Sequence, residues 1–310
     1  MKTLITCGYH FRQEQLQKLE ALGCHLSIWP DEKVPVAEEH LDAKILFCFQ
    51  VFQQTPIEKF SNLKMIQLTS AGLDHVPVKT IHQRGIQLCN ARGVYSIPMA
   101  EWVMLKTLEI YKNTRYFETL QARAEWRQNR KLPELYGKTI GIAGTGSIGT
   151  ETAIRMKAFG CSVIGLNTDG RQQEPYDHCL PTSALMTFLA QCDVVVLALP
   201  LNEKTRHLLN DQALRQMKED AVLINVSRGA VVDEKALLRH LGEGRFRGVA
   251  LDVFEEEPLP PHHELWRHPK IIATPHNSFH STAVKDRIFE LTYRNIKAFV
   301  EGTPLKNLQK

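Results

Sequence analysis

A chain of 310 residues, 43% hydrophobic and 23% charged, has room for two packed domains and the composition of an ordinary globular protein. The formal net charge of +4 suits an anionic substrate or cofactor, yet no basic run is dense enough for nucleic acid and no apolar stretch is long enough to span a membrane. Seven scattered cysteines without a CxxC pair read as reduced, mostly buried thiols of a cytoplasmic protein; the first residues lead straight into a strand-like run with no signal peptide, and no metal is assigned.

Residues 1–98 alternate short apolar runs with helical patterns. Strands are predicted at 3–7, 45–49, 65–68 and 86–89, and helices at 12–22 and 76–84. Such alternation implies a parallel sheet with helices on its faces. Ser70-Ala71-Gly72-Leu73-Asp74 follows the third strand, where open α/β sheets bind ligands. Its glycine could offer backbone N–H groups to a carboxylate, or the segment could be a plain strand-to-helix turn. A long helical pattern over 99–120, punctuated by Pro98, joins the two halves. The stretch 122–133 is basic and carries Trp126, which reads either as a solvated arm or as the anchor of a subunit contact.

The next stretch, 138–171, organises the chain. An apolar run at 139–143 turns through Gly144-Thr145-Gly146-Ser147-Ile148-Gly149 into a helical pattern over 150–159, and a second apolar run over 161–166 ends at Asn167. This is the βαβ unit of a dinucleotide-binding fold. Gly144 permits the tight turn, Gly146 lets a pyrophosphate approach the backbone, and Gly149 lets helix and strand pack closely. The helix start offers N–H groups to phosphates. An NAD site usually carries Asp or Glu where Asn167 stands. Asn167 removes the charge that would repel a 2′-phosphate, and Thr168 and Arg171 could bind one, so the balance leans to NADP or dual use. Asp169 argues the other way, and the same residues also read as a polar surface turn.

Further buried strands are predicted at 193–200, 221–226, 248–253 and 271–274, with helices at 183–190, 210–217 and 234–241. A final helix over 284–302 returns the chain to its first part. The predicted domains are 1–98 with 284–310, and 99–283. Three polar groups follow successive strands: Asn225-Val226-Ser227-Arg228-Gly229, Asp252 to Pro258, and Thr274-Pro275-His276-Asn277. In a parallel sheet they share one edge with the glycine turn. Oxidising a 2-hydroxy acid needs such a set. His suits the proton transfer near neutral pH, a carboxylate fixes its tautomer, and Arg grips the substrate carboxylate. Singly, each residue also fits a structural part: a surface salt bridge, a loop histidine, a solvated acidic turn.

These motifs together, with Ala100-Glu101 and Leu199-Pro200-Leu201, resemble the D-isomer-specific 2-hydroxyacid dehydrogenase family over nearly the whole chain. The resemblance implies two Rossmann-like α/β domains flanking a cleft, a flavodoxin-like substrate domain and a doubly wound NAD(P)-binding domain. It implies Arg228 as the substrate-binding arginine, Glu257, directly before Pro258, as the carboxylate partner, and His276 as the acid/base. It implies substrate binding by the backbone of Ala71 and Gly72. Cofactor contacts are implied at Ser147, Ile148, Asn167, Pro200, Val226 and Asp252, beside the glycine turn. It also implies a homodimer built around the long helix and the arm after it. Asn167 departs from the family's acidic residue, and no carboxy-terminal regulatory domain is expected. A non-enzymatic dinucleotide-sensing scaffold, like the C-terminal-binding corepressors, resembles the same family. A methyltransferase could mimic the glycine loop but gives no reason for Arg228, Glu257 and His276. The substrate is open among glyoxylate, hydroxypyruvate and branched 2-oxo acids. Arg92 could meet a second anionic group or form a structural salt bridge.

Overall fold

The computed structural model describes residues 1–6 and 11–309. The chain divides into two compact units, Met1–Tyr95 with Ser281–Lys310, and Ser96–His280.

The first unit runs β1 (Lys2–Ile5), α1 (Gln13–Glu20), β2 (His25–Ile28), β3 (Ile45–Cys48), β4 (Met65–Leu68), α2 (Val78–Gln83) and β5 (Gln87–Cys89). Cys7, the expected last residue of the first strand, lies outside the described residues. The five strands are all parallel, in the order β2-β1-β3-β4-β5. That is the flavodoxin-like order, which reverses between β1 and β3. Side chains alternate across the strands. Leu4, Leu46, Ile66 and Leu88 pack on one face with Phe60 and Ile81. Ile5 and Phe47 pack on the other with Val284, Ile288 and Leu291 of the C-terminal helix, Val284–Glu301, while Ile45 and Met65 meet its Phe289 and Ile296.

The second unit runs α3 (Ser96–Lys112), α4 (Thr114–Ala122), β6 (Thr139–Ala143), α5 (Ser147–Ala158), β7 (Ser162–Asn167), β8 (His178–Pro181), α6 (Leu185–Gln191), β9 (Val194–Leu197), α7 (Asp211–Gln216), β10 (Val222–Asn225), α8 (Glu234–Gly242), β11 (Gly248–Leu251) and β12 (Ile271–Ala273). Its seven parallel strands follow the order β12-β11-β10-β9-β6-β7-β8. The order reverses between β6 and β9, and a crevice opens at the carboxyl ends of strands at such a point. Central strands are buried on both faces. Val195, Leu197, Leu223, Val249 and Leu251 join one core, and Val194, Val196, Val222, Ile224 and Ala250 the other. The two parallel sheets establish the α/β class expected from the alternation of elements.

Three expectations change. The single helix expected over 99–120 is two helices, because Asn113 adopts a left-handed φ of 52° between them. Asn tolerates that conformation, and apolar periodicity continues across it, which hides the break. The edge strands β2 and β8 escape the sequence pattern because they are short and half exposed, without a continuous apolar run. Helix α5 begins at Ser147, inside the glycine turn, rather than at Thr150.

Candidate active site

The glycine turn lies at the switch point. Gly144 has φ +100°, and a Cβ there would sit 2.3 Å from the Ala198 carbonyl oxygen that follows β9. A Cβ on Gly149 would lie 2.1 Å from the Gly144 carbonyl oxygen, so this glycine brings α5 against the turn itself. Around Gly146 a Cβ would meet nothing within 4 Å. Gly146 is the N-cap of α5 and gives it no side-chain cap, so N–H groups at Ser147 and Ile148 begin a helix over open space. A dinucleotide pyrophosphate fits that arrangement.

Asn167 ends β7 buried, with its side chain turned onto its own loop. Its Oδ1 accepts from the Gly170 N–H at 2.7 Å, and its Nδ2 donates to the Arg171 carbonyl at 2.9 Å. Thr168 and Arg171 are exposed, and the Arg171 guanidinium lies 3.5 Å from Asp169. Pro200 is exposed beside the turn after β9, and its carbonyl accepts from the Thr205 hydroxyl. Val226 is buried, its N–H bonded to the Leu197 carbonyl.

Arg228, Glu257 and His276 follow β10, β11 and β12, three adjacent parallel strands. His276 Nδ1 lies 2.8 Å from Glu257 Oε2. The other Glu257 oxygen accepts from the Phe254 N–H at 3.0 Å. Burial alone would raise the Glu257 carboxyl. The His276 hydrogen bond, the Phe254 amide and the positive charges of His276 and Arg228 outweigh it and hold the group below its ordinary value. His276 itself has φ 50°, which a non-glycine residue adopts at a cost, and its N–H is anchored on the Asp252 carbonyl.

The loops that carry these side chains are tied from beneath. Asn225, 1% exposed, accepts from the Ser227 N–H and hydroxyl and donates to the Arg228 carbonyl. Gly229 has no room for a side chain, since a Cβ would fall 1.8 Å from the Phe254 carbonyl carbon. The arginine loop and the glutamate loop therefore touch backbone to backbone. Asp252 is fully buried and accepts from the Thr274 hydroxyl, the Asn277 N–H at 2.8 Å and the Ser278 N–H at 2.9 Å. Its carboxylate holds the His276 loop. Sequence reasoning missed Asn225, Gly229 and this use of Asp252. A side-chain amide on the last residue of a buried strand was the available signal for the first.

In the first unit, Ala71 and Gly72 follow β4. Asn90 Nδ2 donates to the Ala71 carbonyl at 2.8 Å, and the Ser70 hydroxyl donates to the Gly72 carbonyl at 2.9 Å. Arg92 is exposed, and its N–H donates to Asn90 Oδ1 at 3.2 Å.

A family model described as D-isomer specific 2-hydroxyacid dehydrogenase, NAD binding domain, matches residues 104–278, more than half of the chain. A glyoxylate reductase of Thermofilum pendens is 34% identical over 282 residues, covering 88% of this chain and 83% of that protein. A crystal structure of a D-isomer specific 2-hydroxyacid dehydrogenase family protein from Aeromonas salmonicida is 31% identical, with a TM-score of 0.85 over 100% of this chain and 98% of that one. A D-lactate dehydrogenase from Aquifex aeolicus, complexed with NAD and lactic acid, is 28% identical, with a TM-score of 0.78 over 97% and 96%. A dinucleotide cradle at the switch point, an imidazole–carboxylate pair beyond it and likeness along the full length agree: the chain belongs to the D-isomer specific 2-hydroxyacid dehydrogenase family and is an NAD(P)-dependent 2-hydroxyacid oxidoreductase.

Proposed function

We propose that the chain reduces a small 2-oxo acid to its 2-hydroxy acid, with His276 as acid/base, Glu257 as its partner and Arg228 as the substrate-binding arginine. The observation that carries this reading is the 2.8 Å contact between His276 Nδ1 and Glu257 Oε2. It engages one ring nitrogen and leaves Nε2 as the pole for substrate. Glu257, ionised across the working range, accepts from the ring at Nδ1 and fixes its tautomer. His276 then holds a proton at Nε2 for the oxygen on C2 as charge develops there, and removes it in the reverse direction. Arg228 offers paired N–H donors to the substrate carboxylate and keeps C2 in register. The backbone of Ala71 and Gly72, whose carbonyls are tied down, is proposed as a substrate-binding segment of the first unit. The nicotinamide, when bound, supplies or accepts the hydride.

The residues proposed for the cofactor are Gly144, Gly146, Ser147, Ile148, Gly149, Asn167, Thr168, Arg171, Pro200, Val226 and Asp252. NADP is favoured over NAD because no carboxylate ends β7, and a 2′-phosphate would compete with Asp169 for the exposed Arg171. Trp126, 97% exposed in the arm after α4, supports a homodimer contact there. The Thermofilum relative makes glyoxylate the first substrate to offer.

The test follows NADPH and NADH consumption against a panel of 2-oxo acids that includes glyoxylate and hydroxypyruvate. We expect turnover that His276→Ala abolishes while the cofactor still binds. Full turnover in that variant overturns the assignment of His276. Cofactor binding without turnover of any acid favours the sensing scaffold.

A further inference from the structure

A pair of glutamates ties the Glu257 loop to the start of α8. Glu234 opens α8 and is 8% exposed. Its Oε1 accepts from the Glu255 N–H at 2.7 Å, and Glu255 Oε1 accepts in return from the Glu234 N–H at 3.1 Å. Each side chain thus binds the other's backbone, in a reciprocal clip across 21 residues. His207 Nε2 lies 3.3 Å from Glu255 Oε1, and His263 Nε2 lies 3.9 Å from Glu234 Oε2. Two residues beyond the clip is Glu257, whose own carboxylate is held by the Phe254 N–H, next to the bond that carries the Glu255 N–H.

Burial, followed by the negative charges of Glu255 and Glu257, pushes the Glu234 carboxyl above the ordinary glutamate value, despite the Glu255 amide and His263. An acid raised in the folded state contributes most when protonated, and that contribution is lost as the pH rises through its folded value. Ionisation of Glu234 therefore weakens the fold, while its oxygen holds the Glu255 N–H.

We propose that Glu234 and Glu255 are positioning residues for the acid/base pair: they clip the 254–257 segment to the start of α8, so that the Glu257 carboxylate meets His276 in one orientation. The proposal rests on His276 and Glu257 acting as described above. Without the clip the backbone at 254–257 gains freedom, and the 2.8 Å contact lengthens or is shared with water. Loss of register of this size near reacting groups slows turnover by about tenfold to a hundredfold.

The experiment compares Glu234→Ala, Glu234→Gln and Glu255→Ala with the parent and with His276→Ala. Two readouts are taken: the NMR chemical shifts of the His276 ring without cofactor, its signals identified by their loss in His276→Ala, and kcat and KM against pH with NADPH and glyoxylate, or the 2-oxo acid of the panel that is reduced fastest. Glu234→Ala and Glu255→Ala are expected to displace the His276 ring signals and to cut kcat by about tenfold, with NADPH binding unchanged. Glu234→Gln keeps an acceptor oxygen for the Glu255 N–H and is expected to match the parent in both. His276 ring signals unmoved in both alanine variants overturn the clip, as does Glu234→Gln impaired as deeply as Glu234→Ala. Full turnover in His276→Ala instead overturns the acid/base reading beneath it, so the two failures are told apart. Should Glu234→Ala not fold, Glu255→Ala alone decides, because it leaves the Glu234 side chain in place at the start of α8.

Discussion

Asp252 has both carboxylate oxygens out of water and on the loop that carries His276. Replacing it with Asn turns an amide NH2 toward groups that need an acceptor. At least one buried N–H is then left without its partner, at a cost of about 1–3 kcal/mol. We expect Asp252→Asn to melt several degrees lower and to lose turnover, since the backbone at His276 is left to find its strained φ unaided. Calorimetry beside steady-state kinetics checks this, and an unchanged Tm with unchanged kcat would be evidence against any such anchor. Glu257 adds a pH dependence of known sign. Its carboxyl is held below the ordinary 4.5, so its contribution to stability is complete above about pH 4.5 and is lost as the pH falls through the lowered folded value. Glu257→Gln should therefore flatten the acid limb of the stability curve and leave the neutral region less affected. An acid limb as steep as the parent's would remove Glu257 from the list of groups that cause it. Arg228 and His276 were legible because each follows a buried strand within a few residues, whereas Glu257 stood out of its acidic run only through the family resemblance, as the glutamate directly before Pro258. The clip at Glu234 and Glu255 was not legible, because an acidic run reads by composition as solvated and the reciprocal bonds cross 21 residues that only the folded chain brings together.

Among the elements, the two ends of the glycine turn separate folding from binding. Gly144 has a left-handed φ, and a Cβ there would sit 2.3 Å from the Ala198 backbone. Gly144→Ala is expected to destabilise by well over about 1 kcal/mol, from the conformation and the backbone overlap together. Gly146 has open space where its Cβ would go, so Gly146→Ala should fold to within about 0.5 kcal/mol of the parent. Its methyl group would occupy the approach left for a pyrophosphate, and we expect NADPH affinity to fall by about tenfold or more. Denaturant melts and fluorescence titrations of both variants decide it. Gly146→Ala binding NADPH as the parent does would move the pyrophosphate elsewhere. Central strands and this turn were readable because burial on both faces writes a continuous apolar run. The edge strands β2 and β8 carry no such run. The break at Asn113 rests on one backbone angle, which apolar spacing does not record.

At the scale of the molecule, the chain order and the packing disagree in a way that makes the first unit dependent on the end of the chain. Ser96–His280 is one continuous stretch that contains all seven strands of its sheet and both of its cores. The first unit has its five strands before residue 96, yet one face of that sheet is covered by Ile288, Phe289, Leu291 and Ile296 of the C-terminal helix. Returning four such side chains to water costs roughly 1.5–3 kcal/mol each, a sum comparable to the whole stability of a domain of about 5–15 kcal/mol. A chain ending at His280 should therefore keep the second unit folded and lose the first. In calorimetry we expect one transition near that of the parent's second unit, and in hydrogen exchange rapid loss of protection in β1 to β5 with slow exchange retained in β6, β9 and β10. Protection lost throughout would mean that the second unit also depends on residues outside 96–280, and the two cores would have to be treated as one cooperative whole.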